Sequence, residues 1–265
     1  MFAVDLPYSK DKFVIPVITF KDIFNLSRLR YDNNTLGFVA TLDNILKFSH
    51  LNVVDKFFIL LKIKQFFVND TITLTVNEKT VNVLLSNLIT NLCELTNKHQ
   101  VIQHGQYTIE LDLPQHFLTQ QSFSDIYESV VHSIAVGSQK FDLNSCSIED
   151  KRSLLELLPP TFMPYIKKFV MDESHKVTLF STNNDSLDSN NLTVNFITSQ
   201  PYEFIYLLFS DYDLHSCREI LFSLSKRMNS ETILQSTVND VTSYMTLYND
   251  EIKQQNNSGN TGIGI

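Results

Sequence analysis

The chain has 265 residues, 43% of them hydrophobic and 19% charged, enough apolar material to bury a core in one large domain or two small ones. With 21 Lys and Arg against 29 Asp and Glu, the net charge is −8, which disfavours nucleic acid and anionic membrane as partners. Only 6 Gly and 7 Pro exclude collagen-like and linker-rich classes, and Cys93, Cys146 and Cys217, odd in number and widely spaced, exclude a disulfide framework and fit a reducing cytoplasm.

Met1 to Pro7 lacks the basic and then apolar regions of a secretory signal. Phe13 to Phe20 reads as an extended segment, with Pro16 marking an edge position. A helix follows from Lys21 to Arg30, then a polar turn at Tyr31 to Asn34 and a second helix from Leu36 to Phe48. Asn52 is placed to cap a third helix from Val53 to Phe67, with Asp55 in its first turn. That helix is apolar on nearly every side, which predicts a central position or cover by a partner. Asp55, Lys56, Lys62, Lys64 and Gln65 interrupt it, and a membrane span needs about 20 mostly apolar residues, so it is read as buried rather than spanning.

Thr71 to Val76 alternates polar and apolar, and with Thr80 to Val83 predicts a hairpin turning at Asn77-Glu78-Lys79. A helix over Leu84 to Leu95 and a strand over Tyr107 to Leu113, stopped by Pro114, come next. Ser122 or Ser124 opens a helix running to about Val136. Ser147 to Asp150 forms a capping box, with Asp in place of the usual Glu, for a helix to Leu158. Pro159-Pro160 ends it, and Phe162 to Met171 resumes as a short helix. Strands at Val177–Ser181 and Leu192–Ile197 flank a polar loop. Helices are then expected over Pro201–Phe209, Asp213–Arg227 and Ser230–Gln255, with Asn256–Ile265 disordered. The fold class is therefore α+β: a mixed N-terminal region of helices and short antiparallel strands, and a mainly helical C-terminal region. Domains are drawn at 1–175 and 176–255, with 256–265 as a tail.

Chemistry-bearing patterns argue against an enzyme, a metal protein or a cofactor protein. Gly37, Gly105 and Gly137 are isolated, so no phosphate-cradling loop is present. His215 and Cys217 form one pair without a second, and on a helix they point about 200° apart, unlike zinc ligands. His99 and His104 flank a turn and read as exposed loop residues. The carboxylates of Asp211 and Asp213, and of Glu149 and Asp150, sit where helices start, so capping explains them more simply than acid–base catalysis. Catalytic, metal and cofactor residues are accordingly assigned to none. The alternative is a small soluble enzyme whose site is built from dispersed residues without a motif.

Two C-terminal features suggest assembly: the aromatic run Pro201 to Phe209, and a stripe of Leu234, Val238, Val241, Met245, Tyr248 and Ile252. Their gaps alternate four and three, the spacing of a coiled-coil seam, and packing within the chain or against a partner helix both stay open. Leu221 to Met228, Thr237 to Asp240, and Tyr244 to Glu251 are similar to the end of baseplate hub and hub-assembly proteins of T-even-like tailed bacteriophages. A Leu-Pro near the start and Asp55 to Lys64 before a strand add a looser likeness. The helix over Lys56 to Lys64 departs from the family pattern in lacking its acidic and arginine positions. The resemblance implies a virion component or assembly chaperone for the hub of a contractile tail, made in the host cytoplasm. Its partners would be other hub or tail proteins, with a second copy of the chain as a further candidate.

Overall fold

The computed structural model describes residues 2–67, 70–76, 79–94, 99–115, 123–172, 176–179, 192–195, 197, 205 and 213–259. The fold is α+β, with small antiparallel sheets and a helical C-terminal region. It divides into two compact units, one of residues 1–2, 14–47 and 208–265, the other of residues 3–13 and 48–207. The boundary drawn from the sequence at 175/176 falls inside the second unit, because the strand that follows it packs against a helix of that unit.

β1 (Phe2–Asp5) and β2 (Lys12–Ile15) pair as a two-stranded sheet near the N-terminus. The extended segment ends at Ile15, just before Pro16, which has no N–H to donate to a ladder.

In the first unit, α1 (Phe20–Tyr31) packs on α2 (Thr35–Leu46), and also on α8 (Leu214–Ser225) and α9 (Ser230–Gln235). α10 (Val238–Gly259) packs on α8. The single helix expected over 230–255 is thus two, broken at Ser236-Thr237. The break has a local cause. Thr237 Oγ1 accepts from Asp240 N at 3.2 Å and donates to Asp240 Oδ2 at 2.7 Å, a cap that starts a new helix. Thr19 repeats this arrangement with Asp22 at the start of α1, and the two threonines form an antiparallel bridge. Phe20 N also donates to Ser236 O at 2.9 Å. Two helix starts are therefore stitched together by groups a continuous helix would have consumed. At the other end, α10 is helical through Gly259, where disorder was expected from Asn256. Extending an established helix adds a hydrogen bond per residue without a new nucleus.

In the second unit, α3 (Val53–Phe67) lies at the centre, and Val53, Phe57, Ile59 and Leu61 are each at most 1% exposed. α4 (Leu85–Cys93) packs against it after the antiparallel hairpin of β3 (Thr71–Val76) and β4 (Lys79–Leu84). A four-stranded antiparallel meander follows, β5 (Gln100–His104), β6 (Tyr107–Leu111), β7 (Val131–Val136) and β8 (Gln139–Asp142). Its two tight turns each place a glycine at positive φ, Gly105 at 61° and Gly137 at 59°, where a β-carbon would be strained. Ile109 pairs with Ile134 on the buried face, while Glu110 pairs with Ser133 on the other.

The helix expected to run to Val136 is corrected here. α5 (Phe123–Val130) ends where β7 begins, since Val131, Ile134 and Val136 suit a pleated surface and find β6 alongside. α6 (Ile148–Glu156), a 3-10 turn over Pro160–Phe162 and α7 (Met163–Val170) complete this part. β9 (Lys176–Leu179) and β10 (Leu192–Asn195) pair antiparallel, and β9 packs on α4. The polar loop between them and the helix expected over Pro201–Phe209 fall outside the described residues, save Ile205, which is buried. Among the described residues, no helix is long and apolar enough to cross a membrane.

Candidate functional site

The six stripe residues do not share one environment. Leu234 belongs to α9 and is separated from the other five by the Thr237 cap. Val238 and Val241, at 3% and 2% exposure, are core residues of the first unit. Met245 and Tyr248 are half-buried, and Ile252 reaches 37% exposure. Burial thus fades along α10 at constant heptad spacing. Leu247 beside the stripe is 63% exposed. Arg227, just past α8, meets Glu251 at 3.1 Å, which holds the distal part of α10 to its neighbour by an exposed ion pair. Such a pair contributes little, on the order of 0.2–1 kcal/mol.

A second surface lies in the second unit, where α5, β7, α6 and α7 enclose a groove of about 450 Å³. Val131, Leu155, Leu158, Phe162 and Ile166 give it apolar walls, and Tyr127, Glu128, Arg152 and Glu156 give it polar atoms. Arg152 Nε lies 3.1 and 3.2 Å from the two carboxylate oxygens of Glu128, and its Nη2 lies 3.4 Å from Asp125 Oδ1. One guanidinium therefore pins α6 to α5. Burial pushes the Tyr127 hydroxyl above its ordinary pKa.

A third cluster centres on Asp112. Its Oδ1 accepts from Tyr8 Oη at 2.6 Å and from Leu113 N at 2.7 Å, and its Oδ2 lies 3.8 Å from His99 Nδ1. His132 Nε2 sits 2.9 Å from the carbonyl oxygen of Leu113, and burial holds this imidazole below its usual pKa. The cluster ties the N-terminal segment to the meander. Sequence reading missed it because its members stand at positions 8, 99, 112 and 132, with no local pattern to join them.

The other singled-out residues do structural work. His215 faces Glu219 at 3.2 Å on the exposed side of α8, whereas Cys217 is fully buried beside Ser27 Oγ at 3.6 Å. Burial raises the Cys217 thiol pKa, the opposite of an activated cysteine. Asp213 caps α8 by accepting from Ser216 N at 2.7 Å, and that bond lowers its pKa. Ser147 caps α6 by accepting from Asp150 N at 3.1 Å, and Glu149 stands beside it in the first turn. Asp211 lies outside the described residues. His104 ends β5 with its ring edge-on to Phe162 at 6.1 Å, and His99 precedes β5. Among the described residues, no three His, Cys, Asp or Glu side chains gather as metal ligands.

No known protein family, characterised protein or solved structure matches the chain.

Proposed function

We propose that this chain is a non-enzymatic assembly protein acting through protein–protein contact, and that the distal half of α10 is the surface it presents. The observation that carries this reading is the gradient of burial along one stripe. The sequence maintains coiled-coil spacing from Val238 to Ile252, yet the chain itself fully buries only Val238 and Val241, leaving Met245 and Tyr248 half-covered and Ile252 exposed. Met245, Tyr248 and Ile252 form a face continuous with the core and open to a second helix. A helix face of this type docks by apolar anchors one turn apart.

The finer assignment is a baseplate hub subunit or hub-assembly chaperone of a contractile-tailed phage. It is supported by the likeness of Leu221–Met228, Thr237–Asp240 and Tyr244–Glu251 to that family. The last of these runs coincides with the stretch where burial fades. On this reading the protein works in the host cytoplasm during assembly, and in the virion if it stays in the baseplate.

The test is a co-purification of the tagged chain with the tail and hub proteins encoded beside it. Met245→Glu and Tyr248→Glu should lose the complex, because a carboxylate in an apolar helix contact is left unpaired. Asn249→Glu, off the stripe, should keep it. Capture of metabolic enzymes instead, or full retention of the complex by both stripe variants, sinks the proposal.

A further inference from the structure

We propose that the groove between α5, α6 and α7 is a second docking site, and that its occupant is an amphipathic helical segment of a partner protein carrying basic residues beside its apolar stripe. Shape and charge both point there. Val131 and Phe162 are fully buried at its base, Ile166 is 2% exposed, and Met163 at the lip is 45% exposed. Further exposed apolar side chains stand on the elements that line it. Leu157, between the lining residues Glu156 and Leu158, is 69% exposed, and Tyr165, next to Ile166, is 49% exposed. The lining runs across α5, α6 and α7, and an occupant lying along all three would be an extended segment rather than a small molecule.

The charges select its sign. Arg152, the cation of the lining, is already closed by three carboxylate oxygens of Glu128 and Asp125. Glu156 is exposed at the same wall and makes no ion pair among the described residues. The charge the groove offers outward is therefore negative. A lysine or arginine flanking the incoming stripe would meet Glu156, whereas a carboxylate there would be repelled. The site is also built in advance: Arg152 fixes α6 to α5, and Pro159-Pro160 ends α6 and sets the 3-10 turn that delivers Phe162. This inference does not depend on α10.

The experiment uses the full chain and two labelled helical peptides with the same leucine stripe, one flanked by lysine and the other by glutamate. Fluorescence anisotropy at physiological salt should show the lysine peptide binding at least about tenfold tighter. Met163→Arg should abolish that binding, and Glu156→Lys should remove or reverse the preference. Glu94→Lys makes the same change of net charge at the exposed end of α4, outside the groove lining, and should bind like the parent chain. Thermal melts of all three variants establish that each is folded. Equal binding of the two peptides, or none, overturns the proposal. So does unchanged binding by Met163→Arg. Glu94→Lys weakening the complex as much as Glu156→Lys would show attraction to an acidic protein and nothing more.

Discussion

α3 and α10 are the two longest helices among the described residues, and they handle apolar surface in opposite ways. α3 is apolar nearly all round and is covered from Val53 to Leu61, to the point that Asp55 and Lys56 are buried with it. Lys64 further on is buried too, while Phe66 near its end is 59% exposed. α10 carries a single stripe, fully buried at Val238 and Val241 and only half-covered beyond them. Each charge inside α3 needs local compensation. Asp55 accepts from Tyr8 N at 2.9 Å, Ser9 N at 3.0 Å and Asn52 Nδ2 at 2.9 Å, and Lys56 lies over the Phe48 ring at 5.1 Å. α10 keeps its charges in water and leaves part of its stripe there as well. The contrast separates a helix that holds a unit together from one that has surface to offer.

The most damaging way to break this contrast is at the start of α3. Asp55→Ala strands one buried and one part-buried backbone donor and frees residues 8 and 9 from the helix, at a cost of about 3–5 kcal/mol. Urea unfolding measures it; a loss below about 1 kcal/mol would mean that α3 is not anchored by this carboxylate. Lys64 comes next. It is 4% exposed, and burial lowers its pKa from 10.5 to about 8. Between about pH 8 and 10.5 the unfolded side chain keeps a proton that the folded one has lost, so this lysine makes stability rise with pH across that window. Below it, that shift corresponds to about 3 kcal/mol for holding the charged amine inside. Lys64→Met should therefore gain on the parent chain at pH 7 and lose that advantage by about pH 10.5. A stability difference that stays flat with pH would show an amine reached by water.

The same two helices show what a sequence reveals. Uniform apolarity made α3 readable from Val53 to Phe67, because a helix with no polar face has one place to go. Asn52 announced its cap: its side chain accepts from Val54 N and Asp55 N, both at 3.0 Å. The α10 stripe was readable as a pattern, but not its division between core and surface, since heptad spacing is the same whichever chain fills the groove. Local signals also competed. Ser230 to Gln255 has helical periodicity throughout, which hid the capping pair of Thr237 and Asp240 at which the chain restarts, beside the bridge from Thr237 to Thr19. Val131 to Val136 was lost to the preceding helix, although its β-branched residues followed by Gly137 are a hairpin signal. The groove was not legible at all, because Arg152 meets Glu128 across 24 positions.

Smaller changes sharpen the boundary within α10. Val241→Ala removes two methyl groups from a site 2% exposed and should cost about 2 kcal/mol by thermal or urea unfolding. Thr237→Ala removes the cap that separates α9 from α10 and should cost about 1 kcal/mol. It has a second readout. If the cap fixes the break, amide exchange at Val238 to Asp240 should quicken in the variant; unchanged exchange there would place the cause of the break elsewhere.

The smallest effect on stability is the one that carries the functional reading. Ile252 lies on the same stripe as Val241, three turns further along a straight heptad register, and is 37% exposed. Ile252→Glu therefore places a carboxylate where water already reaches, next to Glu251, whose charge is engaged by Arg227 at 3.1 Å. Two adjacent acids on an exposed helix repel weakly, so the isolated protein should lose less than about 0.5 kcal/mol, and its melting point should hardly move. A partner helix seated on Met245, Tyr248 and Ile252 would instead bury that carboxylate without a counter-charge, and the complex should weaken by at least about tenfold. Separation of the two quantities is the expected result: a nearly unchanged melt and a lost complex. If Ile252→Glu destabilises the isolated chain as strongly as Val241→Ala, the stripe is core to its end, and α10 has no face to give away.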